Sequence, residues 1–258
     1  MLPTLFLSHG APDLVLSESP ARDFLGSLAG QLETPQAILI ISAHWETPGP
    51  AVTAAEVNGT IHDFRGFPAV LYTMRYPAPG SPALAARIAG LLTQAGLSVT
   101  TDRQRGLDHG AWVPLLLAYP AADIPAVQLS VQPHLGPAHH MALGRALAPL
   151  REDGVLIIGS GSFTHNLSEF FHGHAEQEPQ WVTAFADWFS QALIENRSDD
   201  LLRYRQIAPF AEKNHPTEEH LLPLYVALGA AGEKAHAERL HHSTDRRVLR
   251  LDAYAFTS

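Results

Sequence analysis

The sequence predicts a single α/β domain in which helices cover both faces of a mixed, largely parallel β-sheet. Short aliphatic or β-branched runs alternate with longer Ala- and Leu-rich amphipathic stretches along the 258 residues, an order typical of layered α/β folds. Two runs, residues 38–41 and 155–158, lack polar alternation, which indicates central strands buried on both faces. Neither a repeat nor a linker divides the chain, so we expect one three-layer α/β/α domain over residues 1–258.

The individual elements follow from hydrophobic periodicity and from Gly and Pro punctuation. We predict strands at 4–7, 37–42, 51–55, 98–101, 126–131 and 155–158, and helices at 20–29, 82–95, 111–117, 138–151, 179–195 and from near Thr217. The last helix can alternatively begin just before Pro223, which would leave His220 on its entry turn. Residues 58–80, rich in Gly, Pro and aromatic residues, are predicted to form a long loop, and such loops are usually functional.

Charge and cysteine usage narrow the class of function. The balance of 17 Lys and Arg against 26 Asp and Glu gives −9, whereas nucleic acid and anionic membranes both require clustered positive charge. No apolar run approaches the roughly 18 residues of a membrane helix, and the N-terminus does not resemble a signal peptide. The absence of cysteine excludes thiolate chemistry and fits a cytoplasmic protein. We therefore expect small-molecule chemistry that uses His and carboxylates, with neither nucleic acid nor a membrane as partner.

The 15 histidines are the unusual feature of the composition. His9, His44 and His165 follow the first, second and last predicted strands, and the carboxyl ends of parallel strands meet at one edge of a sheet. The three imidazoles are therefore expected to converge and to bind a divalent metal. His134 also follows a strand, so position alone does not exclude it. The other paired or clustered histidines are expected on solvated faces or loops: residues 134, 139, 140, 172, 174, 241 and 242.

Three further segments need interpretation. Asp108 is a possible helix N-cap, which would make His109 an exposed residue of the first turn. Residues 159–164 resemble neither a complete dinucleotide-binding motif nor a nucleophile elbow, so their small side chains are expected to let backbone approach a ligand or metal. His215 and His220 are five residues apart, so at most one of them is expected to face the edge of the sheet.

Six segments occur in order along nearly the whole chain: LFLSHGAP (5–12), ISAHW (41–45), IHDFRGFP (61–68), YPAPG (76–80), GLDHGAW (106–112) and PTEEH (216–220). Together they resemble the DODA-type extradiol aromatic ring-opening dioxygenases of the class III, LigB-like superfamily, whose members cleave catechol rings with O2. The resemblance implies a three-layer α/β fold, a small aromatic diol such as DOPA or a related catechol as substrate, and O2 as the second substrate.

The resemblance also implies roles for individual histidines. His9, His44 and His220 match the metal ligands, and His165 matches an acid/base beside the metal that could also coordinate zinc. His109 matches a residue that contacts substrate or O2. Fe(II) is the metal implied for activity, and Zn(II) can occupy the same site. The sequence leaves a monomer and a small homo-oligomer equally open.

The broader superfamily uses two histidines and one carboxylate as ligands. Here the third position resembles His220, with Glu218 and Glu219 adjacent as alternative ligands. Because an all-His set suits zinc as readily as Fe(II), two other functions stay open, a zinc-dependent hydrolase and a non-catalytic zinc site closed by His165. Four aromatic residues are candidates for an apolar wall that excludes water: Phe64, Phe67, Tyr72 and Trp112.

Overall fold

The computed structural model describes residues 1–173 and 176–257. The strands are β1 (Thr4–Ser8), β2 (Ala37–Glu46), β3 (Ala51–Thr53), β4 (Thr100–Asp102), β5 (Ala126–Val131), β6 (Val155–Gly161), β7 (His236–His241), β8 (Thr244–Asp245), β9 (Leu249–Arg250) and β10 (Ala253–Thr257). The α-helices are α1 (Pro20–Ser27), α2 (Pro82–Gln94), α3 (His109–Ala118), α4 (Gly136–Leu147), α5 (Leu167–His172), α6 (Gln180–Ile194), α7 (Ser198–Leu202), α8 (Tyr204–Ile207), α9 (Ala211–Asn214) and α10 (Leu222–Ala231).

Eight of these strands form one mixed sheet in the order β4-β3-β5-β2-β6-β1-β10-β7. The central strands β5, β2, β6 and β1 are parallel, while β3 pairs antiparallel with β5 and β10 pairs antiparallel with β1. The predicted fold class, one α/β domain around a mixed and largely parallel sheet, is confirmed. The six predicted strands are all present, and their limits differ from the prediction by no more than four residues.

Both faces of the central strands are buried, as the unbroken apolar runs predict. Alternate residues pack with α1 and α3 on one face: Leu5, Leu7, Ile38, Ile40, Leu156 and Ile158. The intervening residues contact the layer of α2, α4, α6 and α10 on the other face: Phe6, Leu39, Ile41 and Ile157. This alternation follows from the two-residue period of a strand and gives the α/β/α layering.

The last predicted helix begins later than Thr217. Its first residue is Leu222, with Pro223 in the first turn, so the alternative start just before Pro223 is correct. The Thr217 hydroxyl donates a hydrogen bond to the Glu219 carboxylate, and the Glu218 carbonyl accepts from the amides of residues 221 and 222. His220 therefore lies in a tight turn at the entrance of α10, where its backbone is fixed by local hydrogen bonds.

Residues 58–80 form the predicted long loop, whose only helical segment is a single 3-10 turn at Ala69–Thr73. The Asn58 side-chain amide closes the ends of the loop by donating to the carbonyls of Ala78, Pro79 and Ala126, at 3.2, 3.1 and 2.9 Å. Inside the loop, the aromatic ring of Phe64 contacts three of its neighbours: Phe67, Tyr72 and Trp112. The loop is thus packed by its own side chains against the first residues of α3.

The expectation that His140 is solvated is wrong, because its side chain is fully buried in α4. Its Nδ1–H donates to the Gly136 carbonyl at 2.7 Å, and its Nε2 accepts from the Gln132 amide at 3.1 Å. These two bonds fix one neutral tautomer. Burial lowers the pKa of His140 to about 4. His134 is exposed, as expected, and His174 lies outside the described residues.

This arrangement predicts an acid-sensitive contribution to stability. The unfolded chain binds a proton at His140 below about pH 6.5, whereas the folded chain does so only near pH 4. The contribution of His140 to stability is therefore complete above pH 6.5 and is lost as the pH falls from 6.5 to 4, a loss of about 3 kcal/mol. In urea unfolding between pH 7 and 4.5, His140→Gln should show a shallower loss than the wild type. His134→Gln serves as the control, and an equal pH slope in all three proteins would contradict the prediction.

Candidate metal centre

Three imidazoles from separate segments meet at the carboxyl edge of the sheet. His9 follows β1, His44 lies near the end of β2, and His220 precedes α10. The Nε2 atom of His44 lies 3.1 Å from that of His9 and 3.3 Å from that of His220. Ligand atoms of all three residues lie within 4.8 Å of one another. The sequence predicts that His44 follows its strand, but β2 continues to Glu46 after a break in its pairing with β5.

Hydrogen bonds at the far side of two rings determine where their protons lie. The Ser160 hydroxyl donates to the Gly110 carbonyl, so its oxygen accepts from Nδ1 of His9 at 3.0 Å. The Glu219 carboxylate accepts from Nδ1 of His220 at 2.9 Å. Because both Nδ1 atoms carry a proton, the neutral rings direct Nε2 lone pairs toward Nε2 of His44.

This set of donors fits a divalent cation. Burial lowers the pKa of His44 to about 3 and holds those of His9 and His220 well below their usual value, so the three rings are neutral at pH 7. Nitrogens about 2.0–2.1 Å from one metal would be about 3.0 Å apart in octahedral and about 3.4 Å apart in tetrahedral geometry. The distances of 3.1 and 3.3 Å lie in this range. Lone pairs that repel one another at these distances become ligands once a cation lies between them.

His165 lies beside this cluster, four residues after β6. Its ring stacks on the ring of His220 with centroids 3.4 Å apart, and its Nδ1 lies 4.0 Å from the Glu219 carboxylate. It forms a second possible ligand group with those two residues, whereas the first group consists of His9, His44 and His220. Burial lowers the pKa of His165 to about 4.

His109 is the first residue of α3 and is 6% exposed, so the expectation that it would be an exposed first-turn residue is wrong. Asp108 is the N-cap, as expected, and accepts a hydrogen bond from the Ala111 amide at 3.2 Å. The His109 ring lies 3.9 Å from the ring of His44, centroid to centroid. Its Nδ1 and its backbone amide both donate to one Asp63 oxygen, at 2.9 and 3.0 Å.

Asp63 lies at the site although the sequence predicts no role for it. Burial raises the pKa of its carboxyl, but the hydrogen bonds from His109 outweigh burial and hold the pKa at about 2. Its second oxygen lies 3.6 Å from Nδ1 of His44. Asp63 therefore orients His109 through two hydrogen bonds and places its second oxygen beside His44. The feature of the sequence that could have indicated this role is its position in the long loop, within the segment IHDFRGFP.

The Asp108 carboxylate is fully buried and joins α3 to the sheet. It accepts hydrogen bonds from Ser42 at 2.6 Å, from Arg105 at 3.1 Å and from the Gln128 side-chain amide. Ser42 lies two residues before His44, and Asp108 directly precedes His109. The network therefore fixes the spacing between these two histidines.

A cavity of about 520 Å³ opens from the cluster toward solvent. All five histidines described above line it, together with Phe64 and Phe67 of the long loop. Two predicted members of the apolar wall, Tyr72 and Trp112, instead pack behind Phe64 with ring centroids 5.2 and 6.3 Å away. The converging nitrogens therefore lie at the inner end of a pocket with an aromatic wall.

A family model described as the catalytic LigB subunit of aromatic ring-opening dioxygenase matches residues 5–256. The chain belongs to this family. It is 50% identical over 259 residues to the 4,5-DOPA dioxygenase extradiol of Beta vulgaris, with 99% of this chain and 96% of the relative covered. It is 44% identical to the protein of the same name from Escherichia coli K12, with 89% of this chain and 85% of the relative covered.

A crystal structure of an uncharacterized protein from Escherichia coli K12 has the same fold. Its TM-score is 0.82 at 36% identity, with 99% of each chain covered. Membership of the LigB family makes this protein an extradiol ring-opening dioxygenase and implies a metal site, an aromatic substrate and O2. No helix among residues 1–173 and 176–257 is long and apolar enough to cross a membrane.

The other sequence candidates lie outside the three-nitrogen cluster of this LigB-family site. His215 is buried and its Nε2 donates to the Phe163 carbonyl, so His220 is the member of that pair that faces the sheet edge. Glu218 accepts a hydrogen bond from the Tyr204 hydroxyl at 2.9 Å. Glu219 contacts the Nδ1 side of His220, behind the cluster.

Glycines of β6 and α3 allow the close approach of the site segments. A Cβ on Gly161 would lie 1.9 Å from the His220 carbonyl oxygen, which accepts a hydrogen bond from the Ser162 amide at 2.9 Å. A Cβ on Gly110 would lie 2.4 Å from the Ser42 hydroxyl and 2.9 Å from the His44 ring. The glycine at the end of β6 thus admits the backbone of a candidate ligand residue.

We expect Gly161→Ala to weaken metal binding, because the added methyl group must displace the backbone of His220. Loss of ligand orientation of this kind costs about 10- to 100-fold in metal affinity. Gly90→Ala in α2 is the matched control, since a Cβ there meets open space. Competition with a chromogenic chelator gives the affinities, and circular dichroism monitors the fold. Equal affinity in both variants would show that the close approach does not position His220.

Proposed function

We propose that this LigB-family enzyme uses Fe(II), bound by His9, His44 and His220, to open a catechol ring beside its two hydroxyl groups. The observation that carries the proposal is the convergence of three neutral Nε2 atoms at the inner end of an aromatic-walled cavity. Fe(II) at this position supplies the redox chemistry by which O2 reacts with an electron-rich ring. Relatives named 4,5-DOPA dioxygenase extradiol, at 42–50% identity over nearly the full chain, support a DOPA-like catechol as the substrate.

In this proposal His165 is the acid/base that accepts and later returns the proton of a catechol hydroxyl. It lines the cavity, its ring stacks on His220, and the pKa lowered by burial keeps it neutral at pH 7. A neutral imidazole accepts the proton of a catechol hydroxyl and returns it later in the reaction. Its ligand atoms lie within 4.8 Å of those of His220 and Glu219, so His165 is close enough to the proposed metal to exchange a proton with a bound catechol.

His109 orients the substrate or O2. Asp63 accepts the hydrogen bond from its Nδ1–H, which leaves Nε2 for a hydrogen bond with a catechol hydroxyl or O2. Phe64 and Phe67 cover the adjacent wall and exclude water from the reacting groups. The cavity beside the cluster favours a catalytic site over a closed structural zinc site, which would bind its fourth ligand from the protein.

Reconstitution with defined metals tests the proposed reaction. The apo-protein is loaded anaerobically with Fe(II) or with Zn(II) and then mixed with DOPA, caffeate or protocatechuate in aerated buffer. We expect the Fe(II) form alone to consume one O2 per catechol and to form a yellow semialdehyde. Tight zinc binding without O2 uptake in either form would overturn the proposal and favour the zinc-dependent hydrolase.

Single substitutions separate the proposed ligands from the proposed acid/base. His44→Ala should lose both bound iron and turnover, because it removes the central nitrogen of the three. His165→Ala should keep most of the iron while turnover falls by about 10² to 10⁴. His134→Ala, which removes an exposed histidine that also follows a strand, is the control. Full turnover in His165→Ala, or full iron content in His44→Ala, contradicts the corresponding role.

A further inference from the structure

The cavity extends well beyond the space that a bare catechol ring needs. A volume of about 520 Å³ is typical of pockets that enclose a larger organic molecule. Its inner end is formed by the buried residues His9, His109 and His220. Residues of two further segments, 10–21 and 243–251, also line it, and the exposed residues among them lie at its outer end. The second segment includes the small β8–β9 hairpin, which is separate from the main sheet.

Charged side chains of both signs border the outer end. Asp13 and Glu18 come from the first segment, and Asp245 and Arg246 come from the hairpin. Glu18 and Arg246 are exposed, which places this end at the opening to solvent. Burial raises the pKa of Asp245, Arg246 opposes this rise, and the Asp13 carboxylate adds to it. Asp13 and Asp245 line the same cavity from different segments, so a ligand in it can contact both carboxylates.

Arg246 is held at the opening by an unusual turn. The Val248 amide donates to the Asp245 carbonyl at 3.1 Å, and the residues between them, Arg246 and Arg247, have φ values of +43° and +63°. These values are typical of a type I′ turn, which normally takes Asn and Gly. The guanidinium carbon of Arg246 lies 4.7 Å from the centre of the Phe170 ring, which also lines the cavity. A guanidinium stacked on an aromatic face keeps its in-plane N–H groups available for a carboxylate.

The opening therefore combines a fork of N–H donors with a pair of carboxylates, at the end of the cavity away from the histidines. This is the complement of an α-amino acid group, which carries a carboxylate and an ammonium on one carbon. A catechol whose ring reaches the inner end would place a substituent of the ring toward this opening. Since the substituent lies away from the reacting hydroxyl groups, its contacts select the substrate without taking part in ring cleavage.

We propose that the substrate is a catechol bearing an amino-acid side chain. Arg246 binds the carboxylate of that side chain, and Asp13 and Asp245 bind its ammonium group. The proposal rests on the ring-opening function proposed above and assigns the residues that recognise the substituent of the catechol ring. It makes Arg246 and Asp13 specificity-determining residues rather than catalytic ones. Catechols that lack one or both charges are then cleaved with a higher KM.

Four catechols that differ only in the charges of the substituent test the assignment with the Fe(II)-loaded protein. L-DOPA carries both charges, dihydrocaffeate the carboxylate, dopamine the ammonium, and 4-methylcatechol neither. We expect Arg246→Gln to raise KM about tenfold for L-DOPA and dihydrocaffeate and to leave dopamine and 4-methylcatechol unchanged. Asp13→Asn should raise KM about fivefold for L-DOPA and dopamine alone. Values of kcat for 4-methylcatechol should stay at the wild-type level in both variants.

Arg247→Gln is the matched control, because it removes the neighbouring arginine from the same turn without removing a residue that lines the cavity. Calorimetric binding of L-DOPA to the Zn(II)-loaded protein without O2 gives a second readout that needs no turnover, and Arg246→Gln should weaken it by a similar factor. Equal effects of Arg246→Gln on all four catechols, or the same effects in Arg247→Gln, would overturn the assignment. If the wild type cleaves none of the four catechols, the ring-opening function itself is wrong, whereas cleavage of all four with equal KM contradicts the substituent site alone.

Discussion

The mutual approach of three neutral imidazoles is the constraint that organises this protein. When His44 carries its proton on Nδ1, the lone pairs on Nε2 atoms 3.1 and 3.3 Å apart repel one another unless a cation lies between them. The fold must therefore supply the free energy that holds His9, His44 and His220 together. It does so by placing β2, β6 and β1 side by side and parallel, so that two of these histidines leave neighbouring parts of the same edge. The third, His220, lies on the turn before α10, which belongs to a helical layer rather than to the sheet.

The hydrogen bonds behind the histidines explain why this arrangement is rigid. Ser160 on β6 holds the ring of His9, and Glu219 holds the ring of His220. Asp63 reaches both His44 and His109 from the long loop. The hydrogen bonds to His9, His109 and His220 each keep a proton on Nδ1 and orient the ring, because a carboxylate, or a hydroxyl already used as donor, can only accept. The loop is thus part of the site, although it contributes none of the three converging nitrogens.

Much of this could be predicted from the sequence, and what could not be predicted has a physical reason. The central strands were evident because apolar runs without polar alternation are buried on both faces, and histidines placed after them had to share one edge. The edge strand β7, in contrast, carries polar and charged residues such as Glu238 and Arg239 and has no such signal. Asp63 lies 46 residues from His109, so their contact depends on the path of a loop that no periodicity describes. The burial of His140 could not be predicted from the sequence because both of its hydrogen-bond partners are backbone groups, which every residue carries.

The two ends of the cavity differ in the same way, since one is built on sheet strands and the other on surface segments. At the inner end, the positions of the histidines follow from strand register and from close backbone contacts at Gly110 and Gly161, where even one methyl group would collide. At the opening, Asp13 lies in a short 3-10 helix, and Arg246 lies on a turn of a two-stranded hairpin outside the main sheet. Changes in such surface segments alter which groups face a ligand without disturbing the packed layers. In the proposed assignment, ring-opening chemistry therefore depends on the sheet, whereas selection among catechols depends on segments that can vary independently of it.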